Sequence, residues 1–302
     1  MKTNILIAQS YGDADKVLEF YTQELPKLNN GMARIKVKSA GINPIDARRM
    51  TGEFKHGSLP QTFGTEFAGE IIELNPIDIQ KFNIGDYVLG SGGSFTHATI
   101  IDVPLGNLIL KPESISWEVA GSLAGVSQTA TTILDEIGPV KSLLIHGGSG
   151  GVGSITIQLA VARGIEVVAT ASSKNQEYLK KLGAIPVVYG EGLINRLKQL
   201  HPEEFDASVD MAGTEEATQT SLQTVKSNGV IASIAGKEIS SPRVKAIWSK
   251  RNPNNLQMVV DAIAEGKISW EIDKTFDFEK AKEAYNYILN GHSRGKNVLI
   301  FN

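Results

Sequence analysis

The residues best suited to chemistry in this sequence form a glycine-rich run, Ser142-Leu143-Leu144-Ile145-His146-Gly147-Gly148-Ser149-Gly150-Gly151-Val152-Gly153. It holds G-x-G-x-x-G at Gly148, Gly150 and Gly153, and G-x-x-G-x-x-G at Gly147, Gly150 and Gly153. A short apolar strand precedes it and a helical pattern follows, the context in which such a turn cradles a dinucleotide pyrophosphate. Glycine permits the tight turn and lets backbone approach the phosphates, while the helix N-terminus supplies N–H groups and partial positive charge. Gly148, Ser149, Gly150, Gly151 and Val152 are therefore candidate binding residues. The alternative is a glycine-rich connection that binds nothing.

The end of the next strand bears on which dinucleotide. A site for NAD usually carries Asp or Glu about 20 residues on, to hold the ribose 2′-hydroxyl. Here the stretch reads Thr170-Ala171-Ser172-Ser173-Lys174, with no carboxylate. The hydroxyls of Ser172 and Ser173 and the Lys174 ammonium suit a 2′-phosphate, which needs donors and positive charge. The expected cofactor is NADPH. Ser172 and Ser173 can also cap the following helix, and the two roles are compatible.

Little else in the chain reads as reactive. There is no cysteine, which rules out disulfides, thiolate catalysis and cysteine-ligated zinc. The five histidines, His56, His97, His146, His201 and His292, are scattered without metal-ligand spacing. His146 is expected to be packed and hydrogen-bonded, Glu66 to be held by structural hydrogen bonds, and Asp46 to anchor local backbone or an ion pair. A missing nucleophile–base pair is consistent with hydride chemistry, where the cofactor carries the reaction and the protein supplies position and electrostatics.

The 302 residues suggest two domains, and 41% hydrophobic with 21% charged residues is an ordinary globular balance. A net charge of −3, a pI near 6.0 and no basic stripe argue against a nucleic-acid partner. The apolar stretch after Met1 is too short for a signal peptide, and no run approaches the ~20 residues of a membrane span. The expected location is the cytoplasm.

The elements that must position the glycine turn follow from periodicity. The first third reads as β-rich and mostly antiparallel: Ala33–Ser39 alternates apolar and polar, and Glu70–Glu73 and Tyr87–Gly90 are short apolar pieces between turn residues. Beyond Ser116 strands and helices alternate. Strands are expected at Leu143–His146, Glu166–Ala171, Pro186–Val188, Ser208–Met211 and Val230–Ile234. Helices are expected at Val152–Ala162, Asn175–Leu182, Leu193–Leu200 and Glu215–Val225. That rhythm implies a doubly wound parallel α/β sheet. In the tail, Asp277 can cap a helix to Leu289, Gly291 ends it, and Asn297–Phe301 is a closing strand.

Several further segments, in the same order, resemble the medium-chain dehydrogenase/reductase superfamily, within it the zinc-free, zeta-crystallin-like NADPH:quinone oxidoreductase branch. They are Ser39-Ala40-Gly41-Ile42-Asn43-Pro44-Ile45-Asp46, Pro60 with Gly64-Thr65-Glu66-Phe67-Ala68-Gly69, Phe82-Asn83-Ile84-Gly85-Asp86-Tyr87-Val88, Thr129-Ala130, the glycine turn, Lys181-Leu182-Gly183-Ala184, Asp206-Ala207-Ser208-Val209-Asp210 and Gly291-His292-Ser293-Arg294-Gly295-Lys296-Asn297-Val298-Leu299. The resemblance implies a GroES-like, mostly-β catalytic domain from residues 1–117 and 268–302. It implies a Rossmann NADPH-binding domain over 118–267, and a homodimer. It places Asn43 and Thr129 near the nicotinamide, as the candidate catalytic residues. Gly150, Gly151 and Val152 would touch the pyrophosphate, and Ser172 and Lys174 the 2′-phosphate. Tyr189 corresponds to a family tyrosine displaced by one position. Ala235 and Gly236 would lie along the cofactor, and Arg294 and Lys296 would close over it.

Some positions depart from the pattern. Thr65 stands where zinc-dependent relatives carry a metal-binding His, Arg48 where quinone reductases often have Tyr, and Lys237–Asn254 is short. The leading expectation is hydride transfer from NADPH to a quinone or similar electron-poor carbonyl. Reduction of enone or enal carbon–carbon double bonds is the second reading, and a dinucleotide- or RNA-binding protein with little turnover the third.

Overall fold

The alternating segment at Ala33–Ser39 lies within a longer strand, Met32–Ile42, which organises the first part of the molecule. In the computed structural model, residues 1–302 are described apart from 56, 77–80, 238 and 292. Met32–Ile42 pairs antiparallel with Glu66–Asn75, with Ile100–Pro104 near its start and with the tail strand Lys296–Ile300 at its end. Tyr87–Ser91 and Leu108–Leu110 continue the sheet beyond Glu66–Asn75, and Ile272–Asp277 joins it through a parallel pairing with the tail strand. A smaller sheet orders Leu18–Glu24, Lys2–Ala8 and Gln61–Thr62. Ile35, Val37, Met50, Phe63, Phe67 and Tyr285 are buried in the core of this unit.

Among the described residues the βα alternation beyond Ser116 yields six parallel strands. Their order is Ile185–Val188, Glu166–Ala171, Ser142–His146, Phe205–Asp210, Val225–Ser233, Val244–Ala246. The first strand in sequence is therefore central, and the winding reverses between it and Phe205–Asp210, the Rossmann arrangement. Strand residues serve both faces: Leu143, Ile145, Val167 and Ala169 pack in one core layer, Leu144, Val168, Val187 and Ile231 in another. That is why these strands read as apolar runs rather than as alternation.

The chain divides into a first unit, Met1–Gly125 with Arg251–Lys267 and Glu271–Asn302, and a second, Val126–Lys250 with Ile268–Trp270. The division between these compact units falls after Gly125. Gly41 N–H donates to Gly121 O at 2.8 Å, and Glu66 Oε2 accepts from Gly125 N–H at 2.6 Å, holding this stretch to the first unit. Arg251–Lys267 belongs there too, with Arg251 donating to Gly92 O at 2.5 Å.

One helix start differs from the sequence expectation. Asp277 ends a strand and makes no side-chain cap; it pairs with Lys280 at 3.1 Å. A single 3-10 turn, Phe278–Lys280, intervenes before the helix Ala281–Leu289. Gly291, at φ +70°, follows that helix.

Candidate functional site

The glycine turn sits at the switch point of the parallel sheet, where ligands of doubly wound folds bind. Its glycines serve different ends. Gly147 has φ +81°, a left-handed backbone that other residues rarely adopt. A Cβ on Gly153 would lie 2.6 Å from Gly147 O, and one on Gly148 would lie 2.9 Å from Ala169 Cβ, so both positions allow helix to pack on strand. Gly150 is different: a Cβ there would meet only Gly147 O at 3.7 Å, ordinary contact distance. It is the N-cap of the helix Gly151–Ala162, whose first intrahelical bond is Ser154 N–H to Gly150 O at 2.9 Å. The N–H groups of Gly151, Val152 and Gly153 therefore precede the hydrogen-bond ladder and mark the positive end of the helix.

The neighbouring strand braces this turn. Gly148 N–H donates to Thr170 O at 2.9 Å and Gly147 N–H to Thr170 Oγ1 at 3.3 Å. Asn175 Nδ2 donates to Ser149 Oγ at 3.1 Å. Ser172 follows directly on strand Glu166–Ala171, and its Oγ is buried without a hydrogen-bond partner among the described residues. It makes no helix-capping bond, although it occupies an N-cap position. A buried orphan hydroxyl is costly and calls for a ligand or water partner. Ser173 and Lys174 are exposed. Tyr189 follows the adjacent strand, where Val188 pairs with Ala171; its N–H reaches Ala171 O at 3.4 Å and its ring is 45% exposed. Ser172 and Tyr189 thus leave neighbouring strands side by side.

On the other side of the glycine turn the chain continues past the strand Phe205–Asp210. Asp210 Oδ1 accepts from Ala212 N–H at 2.8 Å and Gly213 N–H at 2.9 Å, and a Cβ on Gly147 would meet Ala212 N at 3.4 Å. Ala235 N–H donates to Ser233 Oγ at 3.2 Å, and Gly236, at φ +64°, has no atom within 4 Å of a built Cβ. Thr129 is half-buried on the helix Ala124–Ile137.

In the first unit the half-buried Asn43 sits in a polar cluster with Thr65, Glu66 and Lys296. Asn43 Nδ2 donates to Glu66 Oε1 at 2.9 Å and to Thr65 Oγ1 at 3.2 Å. Asn43 Oδ1 accepts from Lys296 Nζ at 2.9 Å. Lys296 also forms an ion pair with Glu66, and both side chains are almost wholly buried. Lys296 therefore turns inward. Arg294 is held by Glu271, with Nε to Oε1 at 2.7 Å. Asp46 Oδ2 accepts from Asn43 N–H at 2.9 Å and Oδ1 from Gly64 N–H at 3.1 Å, so it anchors backbone on either side of the cluster. Arg48 pairs with Glu53 at 3.6 Å.

Among the histidines of the described residues, His97 and His146 are buried and hydrogen-bonded; positions 56 and 292 lie outside those residues. His97 Nε2 faces Gly41 O at 3.2 Å and Nδ1 faces Tyr285 Oη at 2.9 Å. A carbonyl only accepts, so the proton sits on Nε2 and Tyr285 donates to Nδ1. Burial pushes the His97 imidazole down and the Tyr285 hydroxyl well up. His146 bonds Ser221 Oγ at 3.1 Å through Nε2, and burial lowers it to about 4.

Sequence reasoning missed Thr170, Asn175, Thr65 and Asp210 as supports of these sites. Asn175 had a readable signal, a short amide side chain just past a strand end. Thr65 and Lys296 each bond Asn43, and only strand pairing brings them to it.

A parallel doubly wound unit with a glycine turn at its switch point, in one chain with a β-rich unit that carries a polar cluster at Asn43, defines a dehydrogenase/reductase of the two-domain kind. Residues 29–133 match the alcohol dehydrogenase GroES-like domain, and residues 151–264 the zinc-binding dehydrogenase family. The chain is 29% identical to the 2-methylene-furan-3-one reductase of Solanum lycopersicum, covering 96% of this chain and 76% of that one. It is 28% identical to the chloroplastic NADPH-dependent alkenal/one oxidoreductase of Arabidopsis thaliana, covering 97% and 78%. The solved quinone oxidoreductase of Coxiella burnetii superposes with a TM-score of 0.87 at 29% identity, over 100% of both chains. The two family matches together put the chain among the medium-chain dehydrogenase/reductases; it is an oxidoreductase, similar in sequence to the alkenal/one and quinone oxidoreductases just described. Among the described residues no group of three or more His, Cys, Asp or Glu is placed to hold a metal ion, and none of the helices is long and apolar enough to cross a membrane.

Proposed function

We propose that this protein reduces electron-poor carbonyl compounds, quinones first among them, with NADPH held along the switch-point crevice of the second unit. The observation that carries the cofactor assignment is the buried, unpartnered Ser172 Oγ beside Lys174 and Tyr189, at a strand end without a carboxylate. A 2′-phosphate would supply its partner and would be neutralised by the Lys174 ammonium. Gly148, Ser149, Gly150, Gly151 and Val152 would hold the pyrophosphate, with the open space over Gly150 admitting it. Ala235 and Gly236 would line the crevice further along.

NADPH, when bound, supplies the hydride; the residues of this chain supply orientation and charge. An acceptor that gains hydride develops an oxyanion, which needs a donor. Both N–H directions of Asn43 Nδ2 are taken by Glu66 and Thr65, so the Thr129 hydroxyl, which can rotate, is the side-chain donor in this reading. Glu66, a possible metal ligand by chemistry, is instead compensated by the Lys296 ammonium.

A second reading, reduction of the carbon–carbon double bond of enones and enals, is favoured by the names of the tomato and Arabidopsis relatives. NADPH oxidation by purified protein across quinones, enones and aldehydes, with NADH as control, tests both. A saturated ketone from an enone selects the second reading, quinol formation the first, and absence of NADPH binding overturns both. The same proposal takes the first unit as catalytic, the second as the NADPH-binding domain, and the protein as a cytoplasmic homodimer. The exposed edge strand Val244–Ala246 of the parallel sheet offers pairing for a second copy, to be checked by light scattering.

A further inference from the structure

Arg49 is a buried cation with no counter-charge in contact. The helix Pro44–Thr51 sets it on the core side with Asp46, Ala47 and Met50, and the residue is 7% exposed. Its Nε is buried with no hydrogen-bond partner among the described residues. Arg48 beside it pairs with Glu53 at 3.6 Å, whereas Arg49 enters no ion pair among the described residues. Arg34, also buried, shows what such a group normally requires: it meets Glu73 at 2.7 Å and Asp102 at 2.8 Å.

The compensations at hand are already used. Asp46, one turn back, has the spacing of a helix ion pair, but its Oδ2 accepts from Asn43 N–H and its Oδ1 from Gly64 N–H. The last carbonyls of the helix are occupied too. Arg48 O accepts from the N–H groups of Gly52 and Phe54, Arg49 O from Gln61 Nε2 at 2.8 Å, and Met50 O from Gly12 N–H at 3.1 Å. The guanidinium lies 5.9 Å from the centroid of the Phe63 ring, the outer limit of a cation–π contact, and a ring face does not replace a charged acceptor. A buried charge without its partner is strongly destabilising, and the protein's own residues leave Arg49 in that position. The local charge favours an anion. Residues 47–55 hold Arg48, Arg49 and Lys55 against Glu53 alone. Lys55 Nζ lies 5.5 Å from the centroid of the Tyr11 ring, and a Cβ on Gly52 would fall 2.9 Å from Tyr11 Cγ, so this ammonium is held at the end of the helix that carries Arg49.

We infer that Arg49 anchors a binding site, within the first unit, for a small monocarboxylate. The two oxygens of a carboxylate match the planar guanidinium fork, and its single negative charge matches the single positive one. A phosphate dianion exceeds that match and brings its second charge within a helical turn of buried Asp46. So little of Arg49 is exposed that only a small headgroup reaches it. The site is independent of NADPH and of the acceptor in the proposed reaction.

The test uses the full chain, with acetate as the probe and chloride at matched ionic strength as the control. The Arg49 Nε–H signal is identified in the 15N-labelled protein by its loss in Arg49→Lys, which keeps the charge. Acetate is expected to shift this signal saturably, with a dissociation constant on the order of 1–10 mM, and chloride to leave it in place. An unmoved signal, an equal response to chloride, or a saturable response to inorganic phosphate in place of acetate overturns the inference.

The second arm reads urea unfolding in carboxylate-free buffer. Arg49→Met fills similar space without the charge, so the midpoint is unchanged or raised, and the stabilisation that acetate gives the native protein disappears. A lower midpoint in Arg49→Met, or failure of that variant to fold, shows that the fold itself compensates the cation and overturns the inference. Stabilisation by acetate that persists in the variant overturns it as well.

Discussion

Asn175 donates from Nδ2 to Ser149 Oγ over 3.1 Å, so the loop leaving strand Glu166–Ala171 is tied to the glycine turn that precedes the helix Gly151–Ala162. The bond joins the 2′-phosphate end of the proposed cofactor site to its pyrophosphate end. Asn175 is itself buried. Replacing it by Ala loosens the turn without touching the sheet. NADPH affinity is expected to fall about five- to tenfold, the equivalent of one ordinary hydrogen bond of ~1 kcal/mol, as read by fluorescence titration.

Gly150 and Gly153 separate binding from folding. Gly153→Ala places a methyl 2.6 Å from Gly147 O, and overpacking of this kind costs about 1–3 kcal/mol in urea unfolding. Gly150→Ala meets nothing closer than 3.7 Å and has an unstrained φ of −77°, so stability changes by less than ~1 kcal/mol. The same methyl intrudes on the pyrophosphate position, and NADPH binding should weaken about tenfold or more. A Gly150→Ala protein that binds NADPH normally would remove the turn from the site.

The Ser172 and Lys174 side chains should discriminate NADPH from NADH. In Ser172→Ala/Lys174→Ala the dissociation constant for NADPH rises about tenfold or more through loss of charge-assisted hydrogen bonds, while that for NADH stays within about twofold. Because Lys174 is exposed, raising the salt concentration should narrow the native preference. Equal losses for both nucleotides would place the pair outside the 2′-phosphate site.

Stability should decline on mild acidification because of His146. Its imidazole is lowered from 6.5 to about 4 by burial, so between those values the unfolded chain takes up a proton that the folded chain refuses. The folded state loses roughly 3 kcal/mol as pH falls through this window and the loss levels off below about 4. Urea unfolding of native and His146→Asn proteins between pH 8 and 4 checks it, the variant showing a shallower slope. A distinct acid limb lies lower. Glu136, hydrogen-bonded by Lys245 and Lys250, and Asp206, hydrogen-bonded by Lys226, are both held near 2, and their stabilisation is present above 4.5 and 3.8 and lost as pH falls toward 2.

Much of the fold was legible because its signals are local. Apolar runs bounded by turn residues marked the strands Ser142–His146 and Glu166–Ala171, and the periodic apolar face marked the helix Gly151–Ala162. The helix after Asp277 was placed a turn early, since an acidic residue before a charged helix reads as a cap while Asp277 spends its carboxylate on Lys280. Where Gly121 and Gly125 find partners, with Gly41 and Glu66, depends on tertiary contacts and not on composition.

The sequence by itself determined the chemistry of the turn: glycines spaced as G-x-G-x-x-G between a strand and a helix, and a following strand end with hydroxyls and no acid. Those are properties of single residues and their immediate neighbours. Only the tertiary structure decided that Val188 pairs with Ala171, bringing Tyr189 beside Ser172, and that Lys296 meets Glu66 across 230 residues of chain. The reason is register. Asn297 pairs with Ile42, and Ser39 with both Ala68 and Ile300, so the partners of a buried side chain are set by how strands align in the sheet. No local preference encodes that alignment, and one residue of slip would turn each of these side chains to the opposite face.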